Sequence, residues 1–233
     1  YELIEKFGDA ARRARDAGFD AVEVHGAHGY LIAQFMSAYS NKRVDEFGGD
    51  FMSRMKFPIE IIKNIRRKVD ANYPIIFRFS GDERVPGGRT MEESRLVAKV
   101  MEKVGVNALH VSTGVYGSMP WLIAPSAVAP GYNVYAAEEI KKAVSIPVIA
   151  VGRINDPLLA EDILEANKAD MVSLGRESIA DPELPNKVAA DLAEEISPCI
   201  GCMQACVGYL FDPNHLKISC LVNPFTVREG ELC

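Results

Sequence analysis

The chain has 233 residues, of which 48% are hydrophobic and 25% are charged, a composition typical of a globular protein with a buried core. Its formal net charge of −6 provides no basic surplus for nucleic acid or an anionic membrane, and no apolar run is long enough to span a bilayer. We therefore expect small-molecule chemistry, with neither nucleic acid nor a membrane as a partner.

The N-terminal segment has the pattern of an amphipathic helix. Residues 2–17 place apolar side chains on one helical face, and the sequence begins at Tyr1 without a methionine. Nothing in this segment resembles a secretory signal peptide, which needs a basic segment followed by an apolar stretch and a small-residue cleavage site. We therefore expect a cytoplasmic protein that continues upstream of Tyr1.

Five short β-rich runs alternate with longer amphipathic helices, which is the pattern of parallel βα units. Turn and capping signals separate these units, such as Gly105 at one helix end and Pro147 at the start of one strand. The predicted strands span residues 20–25, 74–80, 108–113, 147–151 and 170–174. The predicted helices between them span residues 51–69, 90–104, 135–143 and 157–166.

Two α/β architectures are compatible with five parallel units, namely an open doubly wound sheet and part of a (β/α)8 TIM barrel. No strand is followed by the glycine fingerprint of a dinucleotide-binding sheet. Polar residues instead follow each strand at its C-terminal end, where a barrel carries its active site. We therefore predict that residues 1–196 are the C-terminal five βα units of a (β/α)8 barrel, with three strands upstream.

The end of the first predicted strand carries a dense polar cluster. The motif H-G-A-H-G-Y at residues 25–30 places two imidazoles and a phenol close together. These groups can polarise a carbonyl or deliver a proton, so the predicted catalytic residues are His25, His28 and Tyr30. In the alternative interpretation, this segment is a capping loop with buried, hydrogen-bonded histidines.

Glycine–arginine pairs end the last two predicted strands. These pairs are Gly152-Arg153 and Gly175-Arg176. Many barrels bind a phosphate at this position through glycine amides, so the four residues form a predicted cofactor-binding site. The alternative is that either arginine is a solvated surface residue.

A long loop with aromatic and proline residues follows the third predicted strand, at residues 114–132. Its position at the active face suits a substrate lid, in which Tyr116 and Trp121 would contact an apolar substrate. Packing beneath the barrel rim is an equal alternative for these side chains.

Four of the five cysteines cluster near the C-terminus with the spacing Cys199-x2-Cys202-x3-Cys206-x13-Cys220. In a reducing compartment such a cluster indicates a metal site more than disulfides. Four thiolates suit either zinc or an iron–sulfur cluster, and the uneven spacing favours a [4Fe-4S] cluster. We therefore expect residues 197–233 to be a cluster-binding segment, and we assign no role to Cys233.

The motifs H-G-A-H-G-Y-L at residues 25–31, Q-F at 34–35 and N-K-R-x-D-x-F-G-G at 41–49 resemble the Old Yellow Enzyme family of NADH:flavin oxidoreductases. This resemblance implies an FMN cofactor, whose phosphate the two glycine–arginine pairs would hold. It also implies that His25 and His28 bind the carbonyl oxygen of an α,β-unsaturated substrate and that Tyr30 donates a proton. Arg43 and Asp45 are expected to form a structural ion pair.

In the same family, the position of Arg78 directs a guanidinium at the pyrimidine edge of the flavin. A fixed cation there stabilises the negative charge of the reduced ring. The alternative for Arg78 is an ion pair with a carboxylate inside the barrel.

The cysteine motif resembles the branch that contains 2,4-dienoyl-CoA reductase, 2-enoate reductase and trimethylamine dehydrogenase. Membership of this branch implies a [4Fe-4S] cluster, with FAD and NAD(P)H bound by domains that follow residue 233 in the full-length protein. A homo-oligomer is compatible with the sequence.

Three functions follow from these patterns. The leading hypothesis is an ene-reductase that reduces the C=C bond of a small unsaturated carbonyl compound, such as an enoate or an enoyl or dienoyl thioester. An amine dehydrogenase of the trimethylamine dehydrogenase type is the second, although residues 114–121 contain no acidic residue that could recognise a cation. The third is a non-catalytic interaction module held together by zinc.

Overall fold

The computed structural model describes residues 1–214 and 217–231, so Cys233 lies outside the described residues. Within them, five parallel strands form one sheet and are hydrogen-bonded in chain order. The strands are β1 (Val22–Gly26), β2 (Ile75–Ser80), β3 (Ala108–Ser112), β4 (Val148–Val151) and β5 (Met171–Ser173). This sequential order is that of consecutive strands in a (β/α)8 barrel, and it excludes the doubly wound alternative, in which the strand order reverses.

Helices connect the strands, and the predicted helices and strands are confirmed to within two residues at each end. The longer helices are α1 (Glu2–Asp16), α3 (Phe51–Lys68), α4 (Met91–Val104), α6 (Val134–Lys141) and α7 (Pro157–Glu165). Short helices that we did not predict are α2 (Leu31–Met36), α5 (Met119–Leu122), α8 (Arg176–Ala180) and α9 (Leu184–Ala189). They are too short to show a helical period in the sequence. In the described part of the chain, no helix has both the length and the apolar character needed to cross a bilayer.

Local capping chemistry fixes the ends of the long helices. The carboxylate of Asp50 accepts hydrogen bonds from the backbone amides of Met52 and Ser53 and so begins α3. Helix α4 ends at Gly105, whose φ of 101° lies in the left-handed region that favours glycine. These residues explain why the sequence locates helix ends well.

One face of the sheet packs against the helices and forms the hydrophobic core. The residues Val24, Phe77, Leu109 and Val148 are partners in register across four strands, and all are buried. The same core includes Ile61 and Ile65 of α3 and Val97 and Met101 of α4.

The opposite face of the sheet is polar at its centre. His25 on β1 is in register with Arg78 on β2, which is in register with His110 on β3. Because side chains alternate between the two faces of a strand, these three residues share the face turned away from the core. In a barrel this face is the interior, and its C-terminal end is where the candidate active site lies.

Candidate active site

The loop that follows β1 is tied to the ends of the two neighbouring strands. The backbone amide of His28 donates to Ser80 Oγ at 3.0 Å, and Ser80 Oγ donates to the Gly114 carbonyl at 2.9 Å. His28 also forms an isolated parallel bridge with Val115. His28 has a φ of 63°, an uncommon conformation for a non-glycine residue and one that often accompanies function. These contacts hold the H-G-A-H-G-Y motif rigidly.

The structure brings the three predicted catalytic residues together. The ring centroids of His25 and His28 lie 5.1 Å apart, and those of His25 and Tyr30 lie 5.3 Å apart. All three line a cavity of about 470 Å³ on the polar face of the sheet. Downstream, the predicted ion pair between Arg43 and Asp45 is present, with Nε donating to Oδ1 at 2.9 Å.

Both histidines of the motif are held neutral. Burial lowers the pKa of His28 to about 3, and the nearby positive charge of Arg78 adds to the effect. Burial also lowers the pKa of His25. The Nε2 atom of His28 lies 2.7 Å from Ser112 Oγ, which fixes the orientation of the ring. Neutral imidazoles keep a donor N–H that can bind a carbonyl oxygen.

Arg78 lies among charged and polar groups beneath this motif. Its Nη1 is 3.9 Å from Glu23 Oε1, and His110 Nδ1 donates to the other oxygen of Glu23 at 2.6 Å. Burial lowers the pKa of Arg78. Within the described residues, its buried Nε atom has no hydrogen-bond partner. Arg78 therefore lies near the Glu23 carboxylate, as the alternative interpretation holds. Arg78 also lines the cavity, and its Nε–H is left without a hydrogen-bond partner among the described residues.

The two glycine–arginine pairs form another part of the cavity wall, which includes Gly152, Arg153, Gly175 and Arg176. Gly152 has a φ of 134°, and a Cβ atom there would lie 3.0 Å from the Asn133 side chain, so a larger residue would not fit without strain. At Gly175, a Cβ atom would have no other atom within 4 Å. The backbone is thus open to a ligand at Gly175, whereas Gly152 is required by close packing against Asn133.

Neither arginine side chain is a freely solvated surface group. Arg153 Nη1 donates to the carbonyl of Ser126 at 3.1 Å and also to that of Val128. Arg176 Nη1 donates to the carbonyl of Ala124 at 2.8 Å. Both guanidinium groups therefore hold the loop that follows β3 and α5.

The loop after β3, which we predicted as a substrate lid, contributes residues to the cavity wall. Leu122, Ile123 and Tyr132 line the cavity, whereas Tyr116 and Trp121 are not among its lining residues. Tyr116 contacts Tyr30, with 2.9 Å between their hydroxyl oxygens. The guanidinium of Arg84 covers the Trp121 ring at 4.1 Å from its centroid. Substrate contacts by Tyr116 and Trp121 stay predictions.

The four clustered cysteines surround a second, smaller cavity of about 20 Å³, lined by Cys199, Cys202, Cys206 and Cys220 together with mainly apolar side chains. In the described ranges, no group of three or more His, Cys, Asp or Glu side chains is close enough to hold a single metal ion. Arg176, Ile179 and Cys206 line both this cavity and the larger one. The cysteine segment thus shares a wall with the candidate active site.

Three polar residues of the site were not predicted from the sequence, namely Glu23, His110 and Ser112. Their signal is the two-residue alternation of a strand. Glu23 precedes His25 by two positions on β1, and Ser112 follows His110 by two positions on β3. Polar residues at alternate positions of neighbouring strands indicate that one face of the sheet is polar.

Known proteins resemble this chain over nearly its whole length. It is 53% identical to an NADH oxidase of Thermoanaerobacter brockii, covering 98% of this chain and 35% of that protein. It is 35% identical to a cinnamate reductase of Clostridium sporogenes, covering 99% and 36%. The structure of 2-naphthoyl-CoA reductase in complex with 2-naphthoyl-CoA superposes with a TM-score of 0.93 at 34% identity, covering 99% of this chain and 35% of that one.

The chain therefore spans about a third of the length of these two curated relatives. These relatives include proteins named as oxidoreductases, as the flavin-family resemblance of the motifs implies. Residues 1–195 match the family described as NADH:flavin oxidoreductase / NADH oxidase. The chain belongs to the NADH:flavin oxidoreductase / NADH oxidase family.

Proposed function

We propose that this chain forms the substrate-reducing part of an FMN-dependent ene-reductase, which reduces a C=C bond conjugated to a carboxylate, thioester or ketone. The observation that carries the proposal is that His25, His28, Tyr30 and Arg78 line one cavity. Hydrogen-bond donors for a carbonyl, a proton donor and a fixed cation are the groups that this reaction needs.

The residues of the cavity fit FMN. The unpaired, buried Nε atom of Arg78 suits the polar, negatively charged edge of a reduced flavin, and the open backbone at Gly175 suits its phosphate end. When bound there, FMN would supply the hydride. The chain's own residues would bind the substrate and move the proton.

We assign the carbonyl-binding role to His25 and His28, because both imidazoles are neutral and line the cavity. Tyr30 delivers the proton to the α-carbon. The ordinary pKa of a phenol is about 10, so Tyr30 stays protonated at neutral pH. A protonated phenol is the state that a general acid requires.

The names of two relatives support an unsaturated acid or thioester as the substrate. One is a cinnamate reductase, and one solved structure is a 2-naphthoyl-CoA reductase with its aryl thioester bound. Both names describe reduction of an unsaturated compound that carries a carboxyl-derived group. We extend this substrate class, and NAD(P)H as the source of electrons, to the protein that contains this chain.

For residues 197–233 we propose a [4Fe-4S] cluster held by Cys199, Cys202, Cys206 and Cys220. The four thiols line one mainly apolar cavity, and four thiolates are the usual ligand set of such a cluster. Because the NADH oxidase and the cinnamate reductase are about three times as long as this chain, we place FAD and NAD(P)H sites in the remainder of the protein.

The test of the ene-reductase proposal is the Tyr30→Phe variant of the holoenzyme. General acids typically contribute about 10²–10⁴-fold, so reoxidation of the reduced flavin by trans-cinnamate should slow by that factor in stopped flow. Reduction of the flavin by NAD(P)H should keep its rate, since that step uses no proton from Tyr30. An unchanged reoxidation rate would contradict the role of Tyr30, and wild-type enzyme that reduces neither trans-cinnamate nor 2-cyclohexen-1-one would contradict the proposed activity.

A further inference from the structure

The phenol of Tyr116 contacts the phenol of Tyr30 but does not line the cavity. Its hydroxyl oxygen lies 2.9 Å from that of Tyr30, and the two rings pack edge to face with centroids 5.6 Å apart. Tyr30 is one of the residues that line the cavity, and Tyr116 is not. Its position therefore suits a group that acts on Tyr30 more than one that binds the substrate.

The backbone around Tyr116 is fixed relative to the backbone around Tyr30. His28 and Val115, which form the isolated parallel bridge, lie just before the two tyrosines in the sequence. Ser118 Oγ accepts a hydrogen bond from the Val115 amide at 2.9 Å and donates one to the Glu83 carbonyl at 2.7 Å. The contact between the phenols thus joins two anchored loops, which favours a preorganised pair.

The proton chemistry of the proposed reaction leaves Tyr30 without its proton. As the O–H bond of Tyr30 breaks and a C–H bond forms at the substrate α-carbon, negative charge develops on the Tyr30 oxygen. A donor at hydrogen-bond distance would stabilise that charge and could then return a proton. Hydrogen bonds to charged groups are stronger than those between neutral groups, so the donor would act mainly during proton transfer.

We propose that Tyr116 is this donor and is the proton relay of Tyr30, an assignment that rests on the proposed function. The Tyr116 O–H hydrogen-bonds to the developing Tyr30 phenolate, its proton passes to Tyr30 in the same step in which the Tyr30 proton reaches the α-carbon, and a solvent proton afterwards restores Tyr116. Each turnover therefore takes one proton from water into the product. The Tyr116 side chain is 52% exposed, so it can exchange protons with solvent.

The neighbouring imidazoles are less suited to this task. His28 has a pKa of about 3, so it carries no extra proton at neutral pH, and its Nε2 lies against Ser112 Oγ. Burial also lowers the pKa of His25, which keeps that ring neutral. Tyr116 is the phenol at hydrogen-bond distance from the Tyr30 hydroxyl.

The experiment is a double-mutant cycle on the holoenzyme, with Tyr30→Phe, Tyr116→Phe and the double variant. The rate measured is flavin reoxidation by trans-cinnamate in stopped flow. Loss of a hydrogen bond to a developing charge should slow the Tyr116→Phe variant about 10- to 100-fold. In the Tyr30→Phe background the same change should have no effect, because Tyr116 acts only through Tyr30.

A proton inventory in mixtures of H₂O and D₂O supplies a readout that a structural role would not change. The wild-type rate should depend on deuterium content along a curve, since two protons move together, and the Tyr116→Phe rate should depend on it linearly. Tyr39→Phe, which removes a phenol that is 50% exposed and lies outside the cavity wall, is the matched control and should keep the wild-type rate.

Two results would overturn the relay while leaving the ene-reductase intact. Tyr116→Phe could keep the wild-type rate, or its loss could be the same in both backgrounds, which would mean that Tyr116 contacts the substrate directly. If the wild-type flavin is reoxidised by neither trans-cinnamate nor 2-cyclohexen-1-one, the proposed function fails and the relay fails with it.

Discussion

His28 shows how burial sets the chemical state of a single residue. Its ring is buried beside Arg78, and both effects lower its pKa to about 3. A solvated histidine in the unfolded chain titrates near pH 6.5. As the pH falls below about 6.5, only the unfolded state binds this proton, so stability present above that pH is lost progressively towards pH 3. The loss amounts to about 2 kcal/mol at pH 5.

The corresponding prediction is that His28 stays neutral between pH 8 and pH 5. In ¹⁵N-histidine-labelled protein, its ring nitrogen shifts should remain constant over this range, because protonation would place a charge in a buried site next to Arg78. The His28→Gln variant identifies the signal by its disappearance. A midpoint above about pH 5 would show that the ring is more solvated than its burial indicates.

A buried ion pair between Glu83 and Arg89 stabilises the loop that follows β2. Glu83 Oε2 accepts hydrogen bonds from Ser37 Oγ at 2.6 Å and from the Arg89 amide at 2.9 Å. Its other oxygen lies 3.8 Å from Arg89 Nη1, and the two side chains are 1% and 0% exposed. Removing one partner of a buried ion pair leaves the other charge unpaired, which costs far more than the loss of a surface pair.

We therefore expect Glu83→Gln to destabilise the protein by about 3–5 kcal/mol, because it removes the carboxylate that acts most strongly on the buried Arg89 guanidinium. The measurement is the thermal unfolding midpoint of the holoenzyme. Glu139→Gln is the matched control, since Glu139 pairs with Arg95 and Lys142 near the surface and its loss should cost about 0.2–1 kcal/mol. Equal losses in the two variants would rule out the buried pair as the main support of this loop.

At the scale of the whole molecule, the candidate flavin site and the candidate cluster site are adjacent and share lining residues. Arg176, Ile179 and Cys206 each line both the larger cavity and the cavity of the four cysteines. Side chains that separate two cofactors by a single layer allow electrons to pass between them. The proposed cluster and the proposed flavin would thus be neighbours in the folded protein.

We predict that anaerobically prepared holoenzyme contains about four iron and four sulfide ions per chain at this site, with broad visible absorbance. Cys206→Ser should lose the iron and the broad visible absorbance of the cluster while keeping that of the flavin, because it removes a thiolate ligand. Cys233→Ser, at the cysteine to which we assign no role, is the control and should retain them. Stoichiometric zinc in place of iron would overturn the cluster assignment.

Local signals in the sequence were sufficient for the strands and the longer helices. The caps at Asp50 and Gly105 and the alternation of apolar residues act between near neighbours, so they predict element bounds without knowledge of the fold. The H-G-A-H-G-Y motif is equally local, and it predicted three residues that do line one cavity. The chain's family also followed from motifs that are short and contiguous.

Only the tertiary structure decided which distant residues meet. Strand register places Arg78 between His25 and His110, and loop anchoring brings Tyr116 to Tyr30 while leaving Trp121 against Arg84. Composition could identify the loop as aromatic, but the side of the loop that faces the cavity depends on long-range packing. Strand register and burial arise only when segments far apart in the sequence come together, so the polar face and the low pKa of His28 are properties of the fold.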